Sequence, residues 1–260
     1  MNITLNFQGV FSRFLCLGLV VLLGSCGFTE ARIKREKSSE ASYKLGIAYL
    51  NDAAPNMQKA LIEFSKAIEI NPDNKEAHYA LGHVYAQRQD YSKAIESFKK
   101  AIAIDPVYSE AHNYLGKGYE ALGRDAEAIL AYQEALKNLQ YTTPQLPYWN
   151  LGLIYVRQKQ YDQALEAFQQ ARKIEPANGV VLAKMAETSL QKGDVEKALF
   201  FLKEAVAITP SDPIAHYQLA VFYLEKGPRE FASAEFEKVI SLAPQSKEAE
   251  AAQKSLETLK

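Results

Sequence analysis

Leu81-Gly82-His83-Val84-Tyr85 returns as Leu115-Gly116-Lys117-Gly118-Tyr119, and again as Leu151-Gly152-Leu153-Ile154-Tyr155. The copies stand 34 and 36 residues apart. The first is followed by Ala94, Phe98, Ala101 and Pro106, and the same series recurs along the chain. A fixed period of this length marks a stacked array of helix pairs, so the chain reads as a scaffold. Leu81 and Tyr85 are four apart and share one helix face. Ala94, Phe98 and Ala101 follow the i, i+4, i+7 spacing of a second buried stripe. Gly82 lacks a side chain and lets the partner helix approach. Pro106 cannot continue a helix and restricts Asp105 before it, so the second helix stops there. Asn74, Asn178 and Asp212 stand where later helices begin, and each can cap one. One pair cannot bury its own apolar face, so stability is shared between neighbours.

The pattern resembles the tetratricopeptide repeat. Six copies can be laid down, at 39–74, 75–108, 109–144, 145–178, 179–212 and 213–246. The fifth is degenerate, with Met185, Ala186 and Ser189 in its first helix. The resemblance implies an all-α fold, a right-handed superhelical α-solenoid of six helix pairs. Residues 247–260 close it as a capping helix, with Ala249, Ala252, Leu256 and Leu259 as its apolar stripe. Two places depart from the period. The internal turn of the first repeat gains two residues around Asn51 to Asn56. The junction Tyr141-Thr142-Thr143-Pro144-Gln145-Leu146-Pro147 carries two prolines, which predicts a rigid extended connection.

The chain opens with Phe14 to Leu23, an apolar run of signal-peptide length. It ends in Leu23-Gly24-Ser25-Cys26, which resembles a bacterial lipobox. That resemblance implies that residues 1–25 are a lipoprotein signal peptide and that Cys26 is diacylated and becomes the N-terminus. The lipid chains would anchor the protein firmly, since each buried methylene contributes ~0.8 kcal/mol. Gly27 follows where lipoprotein sorting would place an inner-membrane-retention Asp. By that rule the protein goes to the outer membrane, facing the periplasm. Residues 26–38 then form the lipidated Cys and a charge-mixed tether, flexible or weakly helical. Loss of Arg13 with the leader moves the net charge only from −1 to −2. Such a chain has no long-range attraction for nucleic acid. Cys16 leaves with the leader, so no disulfide is expected.

Catalytic patterns are absent from the sequence. There is no phosphate-cradling Gly-rich loop, no His-Glu-x-x-His and no Gly-x-Ser-x-Gly. His78, His112 and His216 recur three residues before the repeating Leu and read as packing residues. No metal site, cofactor or small-molecule substrate is expected, and the chain is read as a non-enzyme.

In this repeat class the groove is lined two residues before and two after the repeating Leu. The contact set expected along it is Tyr79, His83, Trp149, Leu153 and Tyr217 at those places, with Leu146 from five residues before the Leu. Five residues before the Leu the series runs Glu40, Glu76, Glu110, then Leu146, Val180, Ile214. One half of the groove edge is acidic and the other apolar. Trp149, the single tryptophan, is read as a binding anchor; the alternative is that it packs on the Pro144 and Pro147 turn.

Lipobox, tether and six repeats together resemble the pilotin family of type IV pilus systems. That likeness implies an outer-membrane lipoprotein that binds a secretin subunit and assists its localisation and multimerisation. The alternative is an adaptor for envelope enzymes such as peptidoglycan hydrolases, or for an outer-membrane assembly complex.

Overall fold

The computed structural model describes the backbone of residues 8–259 and the side chains of residues 29–259. Cys26 and the leader lie outside the described side chains. The described residues form thirteen α-helices and no strand. None of these helices is long and apolar enough to cross a membrane. The chain divides into two compact units, residues 1–122 and 123–260, between the two helices of the third repeat.

The first unit holds α1 (Gln8–Asn51), α2 (Met57–Ile70), α3 (Lys75–Gln87), α4 (Tyr91–Ile104) and α5 (Ser109–Ala121). Residues 29–38 are helical and exposed, continuous with the helix of the first repeat. The two added residues of that repeat lie in the loop between α1 and α2. The second unit holds α6 (Asp125–Ala135), α7 (Gln145–Arg157), α8 (Tyr161–Ile174), α9 (Gly179–Lys192), α10 (Val195–Ile208), α11 (Pro213–Lys226), α12 (Arg229–Leu242) and α13 (Lys247–Leu259).

The repeating residues make the core. Phe64, Phe98, Phe168 and Phe236 are fully buried, each flanked by fully or almost fully buried small residues such as Ala94 and Ala101. A Cβ on Gly46 or Gly82 would stand 2.5 Å from the ring of Phe64 or Phe98, and Gly152 meets Phe168 as closely. No real side chain fits there, so glycine sets the distance between the paired helices. The degenerate fifth repeat folds like the others. Met185 and Ala186 are buried, and the Ser189 hydroxyl donates to the Met185 carbonyl at 2.8 Å, which satisfies it inside the core.

Five of the six second helices end alike; α6 is the exception, with no proline after its last turn. The backbone N–H of Asn71, Asp105, Glu175, Thr209 or Ala243 donates to a carbonyl four residues back, and a proline follows. The next helix starts three residues beyond that proline. Asn74, Asn178 and Asp212 accept from backbone N–H groups at 2.8, 3.1 and 2.9 Å, as their places in the sequence suggest. Asn56, Asp90 and Asp194 cap the second helices α2, α4 and α10 in the same way.

The mid-chain junction differs from the expected extended connection. Residues 136–144 fold into successive turns, with the Tyr141 N–H donating to the Asn138 carbonyl at 3.1 Å. Tyr141 is buried and holds the loop to the body. Pro147 sits in the first turn of α7, where its missing N–H would have had no partner. At the far end α13 buries Ala249 and Ala252, and Leu256 and Leu259 pack on the core of the second unit.

Candidate protein-binding groove

Three first helices of the second unit, α7, α9 and α11, carry an apolar residue at their second position: Leu146, Val180 and Ile214. These are 43%, 66% and 50% exposed. Nothing in the fold requires an apolar side chain at a place so open to water. Counted five residues before the repeating Leu, the first unit holds Glu40, Glu76 and Glu110 at that place.

Two clefts flank α9, and Val180 lines both. The cleft toward α7, about 200 Å³, is walled by Leu146, Trp149, Ala171 and Val181. Its polar end is already occupied with itself: Gln145 Nε2 donates to Glu175 at 2.7 Å, and Asn178 Nδ2 to the other Glu175 oxygen at 2.8 Å. The cleft toward α11, about 370 Å³, is walled by Ala183, Ala186, Leu190, Tyr217 and Val221. Lys184, Glu187, Glu225 and Lys226 stand at its rim.

Trp149 lines the smaller cleft, and its ring centroid lies 5.3 Å from that of Phe168 in α8. It is therefore braced by the core helix α8. Tyr217 lines the larger cleft and leans on Phe236 at 5.9 Å. Leu153 packs against the core and lines neither cleft. Of the sequence-derived contact set, the second unit thus brings Leu146, Trp149 and Tyr217 to open clefts. Val180 joins them; its place in the apolar series was visible, but its sharing of both clefts depends on packing.

Tyr79 and His83 belong to the first unit and form a different surface. Their rings meet edge to face at 4.5 Å, and His83 lies 3.9 Å from Tyr114. Tyr108 stands 5.1 Å from Tyr79, with the Lys75 ammonium 5.2 Å from its ring centre. Burial, with the nearby Lys117 charge, pushes the His83 pKa down to about 4. Burial, then the charge of Glu76, raises the pKa of both Tyr43 and Tyr108. This surface is aromatic and acid-edged, unlike the aliphatic clefts of the second unit.

The three recurring histidines do more than pack. Nε2 of His78, His112 and His216 lies 3.0, 2.9 and 3.0 Å from the carbonyl oxygen of Pro72, Pro106 and Pro210. A carbonyl only accepts, so Nε2 donates in each case. Each imidazole thereby pins its helix to the closing proline of the preceding repeat. His216 also places Nδ1 2.6 Å from a Glu235 oxygen. No group of three or more His, Cys, Asp or Glu side chains able to hold a metal occurs among the described residues.

Helix pairs of this geometry, repeated with glycine under phenylalanine, define a class that comparison with known proteins also recovers. Family models for the tetratricopeptide repeat match residues 155–216, 189–256 and 109–139, and a TPR repeat model matches 56–89 and 82–123. The chain belongs to the tetratricopeptide repeat family. It is 30% identical over 153 residues to the type IV pilus assembly protein PilF of Pseudomonas aeruginosa, covering 59% of this chain and 60% of that one. Anaphase-promoting complex subunit 3 of Schizosaccharomyces pombe is 26% identical over 178 residues, covering 68% of this chain and 26% of its own length. The chain spans between 9% and 60% of the curated relatives it matches. Among solved structures it resembles PilW, a widely conserved type IV pilus biogenesis factor, with a TM-score of 0.66 and 21% identity, over 83% of this chain and 98% of that one. It also resembles Pseudomonas aeruginosa PilF, with a TM-score of 0.67 and 23% identity, over 85% and 99%. At such identities the structures establish a shared fold.

Proposed function

We propose that this chain is a lipid-anchored scaffold of the outer membrane, facing the periplasm, that binds a type IV pilus secretin subunit and assists its localisation and multimerisation. It acts by binding and carries no catalysis of its own. The observation behind this reading is the exposed apolar line Leu146, Val180 and Ile214 beside two clefts, a surface that water penalises unless a partner covers it. Likeness to PilF and PilW supports the pilus setting. Diacylated Cys26 supplies the anchor, and tethering raises the local concentration of subunits without new chemistry.

Deletion of the gene tests the reading. Outer-membrane fractions should lose detergent-resistant secretin multimers and accumulate monomer. A Cys26→Ala chain should fail to restore them at the outer membrane. Normal multimers in the deletion strain would overturn the secretin assignment.

A further inference from the structure

We infer that the cleft between α7 and α9 is a subsite for one arginine side chain of the partner protein, its guanidinium held by the Glu175 carboxylate and the Trp149 ring. This rests on the binding role proposed above and adds the chemistry of one anchor.

In the second repeat Lys75 opens α3 and Asp105 closes α4. The Lys75 ammonium meets the Asp105 carboxylate at 2.5 Å and lies 5.2 Å from the ring centre of Tyr108, the residue before α5. In the fourth repeat the same three places hold Gln145 at the start of α7, Glu175 at the end of α8 and Asn178 before α9. A carboxylate stands there again, but no cation of the repeat faces it. Gln145 Nε2 and Asn178 Nδ2 each donate to one Glu175 oxygen, at 2.7 and 2.8 Å. Those bonds fix the carboxylate without neutralising it. A carboxylate offers about four lone-pair sites, so about two stay open.

The surroundings add to the negative potential. No basic side chain lines the cleft. The two basic residues shortly before Glu175 are engaged elsewhere, Arg172 with Glu204 and Lys173 with Gln170. Glu175 caps the C-terminal end of α8, where the helix dipole favours a cation. Gln145 Oε1 is a buried acceptor with no hydrogen-bond partner. An open carboxylate, an unpaired carbonyl oxygen and a helix C-terminus together call for a donor that carries positive charge.

The other walls select arginine. Trp149 lines the cleft, and a guanidinium over an indole face gains cation–π attraction and stacking. Leu146 and Val180 line it too and are exposed, and an arginine lays its aliphatic stem along such surface while its head stays among polar groups. The planar fork has five N–H donors for Glu175 and Gln145, whereas a lysine ammonium is a point charge with three.

The test follows Trp149 emission of the full chain while acetyl-Leu-Arg-Leu amide is titrated in. Acetyl-Leu-citrulline-Leu amide is the neutral control of nearly the same shape. Two variants close the subsite differently. Glu175→Gln removes the charge. Gln145→Lys supplies an internal cation, as Lys75 does for Asp105, a pairing this fold already holds. Thermal melts check that both variants fold. The arginine peptide should give a saturable change. The citrulline peptide should bind the full chain at least tenfold more weakly, as should the arginine peptide each variant. Equal affinities for the two peptides, or for the variants and the full chain, would overturn the subsite, as would an emission that shows no saturable change. Acetyl-Leu-Lys-Leu amide binding as tightly would overturn the choice of arginine. The secretin multimer assay depends on none of these results, so failure of the proposed function is read separately.

Discussion

Five residues before the repeating leucine, the two units part company. The first presents Glu40, Glu76 and Glu110; the second presents Leu146, Val180 and Ile214. Around that position the units are built alike, with alanine, phenylalanine and glycine meeting at the same distances. Since the same backbone accepts carboxylate in one unit and branched aliphatic in the other, packing does not dictate the choice. On the proposed function, a bound partner covers these apolar side chains. The comparison thus separates residues that make the repeat from residues free to serve it.

The largest expected effect should fall equally on both units. Phe98→Ala and Phe168→Ala each empty a fully buried site and should cost about 3–5 kcal/mol. The midpoint of thermal unfolding should fall by on the order of 10 °C. A much smaller loss in one unit would break the claim of a common core.

Acid should separate the units. In the folded chain His83 protonates at about 4, against 6.5 for an ordinary imidazole. The unfolded state therefore binds more protons between those values, and stability falls as pH drops from about 6.5 toward 4. The loss is about 2 kcal/mol at pH 5. His83→Phe should reduce it, leaving the part from His78, whose pKa burial also lowers, as read by urea denaturation across that range. An unchanged pH slope would remove the buried neutral imidazole from the account.

Caps should again act alike. Asn74→Ala and Asn178→Ala each delete an acceptor at a first-helix start and should cost about 1 kcal/mol. Smallest of all, Glu76→Val or Val180→Glu should shift stability by no more than about 0.5 kcal/mol, because the site is open to water in both units. A large stability change in either variant would show that the position belongs to the fold after all.

Much of this was legible in the sequence, because the repeat writes its packing into fixed spacings. The glycine–phenylalanine contact, the proline stops and the caps at Asn74, Asn178 and Asp212 all follow from local rules. The histidines show where such rules end. Helical periodicity marks His78 as buried, but its hydrogen bond reaches back six residues to the Pro72 carbonyl, across a turn that periodicity does not describe. Two prolines predict an extended junction; the loop turns instead, held by hydrogen bonds such as Tyr141 N–H to the Asn138 carbonyl, with the Tyr141 ring buried by tertiary contact. Leu153 sits at a groove position by counting, yet lines neither cleft. Trp149, Leu146 and Tyr217 were found by position, whereas the clefts they line exist only once α7, α9 and α11 are set side by side.

Trp149 is the only tryptophan in the chain and lines the smaller cleft, so its fluorescence reports on the groove directly. Purified secretin subunit titrated into the full chain should give a saturable blue shift of Trp149 emission. The Val180→Glu, Ile214→Glu variant should need at least tenfold more subunit for the same change. An emission unmoved by the subunit, or identical titrations of the two chains, would contradict the central claim that this apolar edge is where a partner is held.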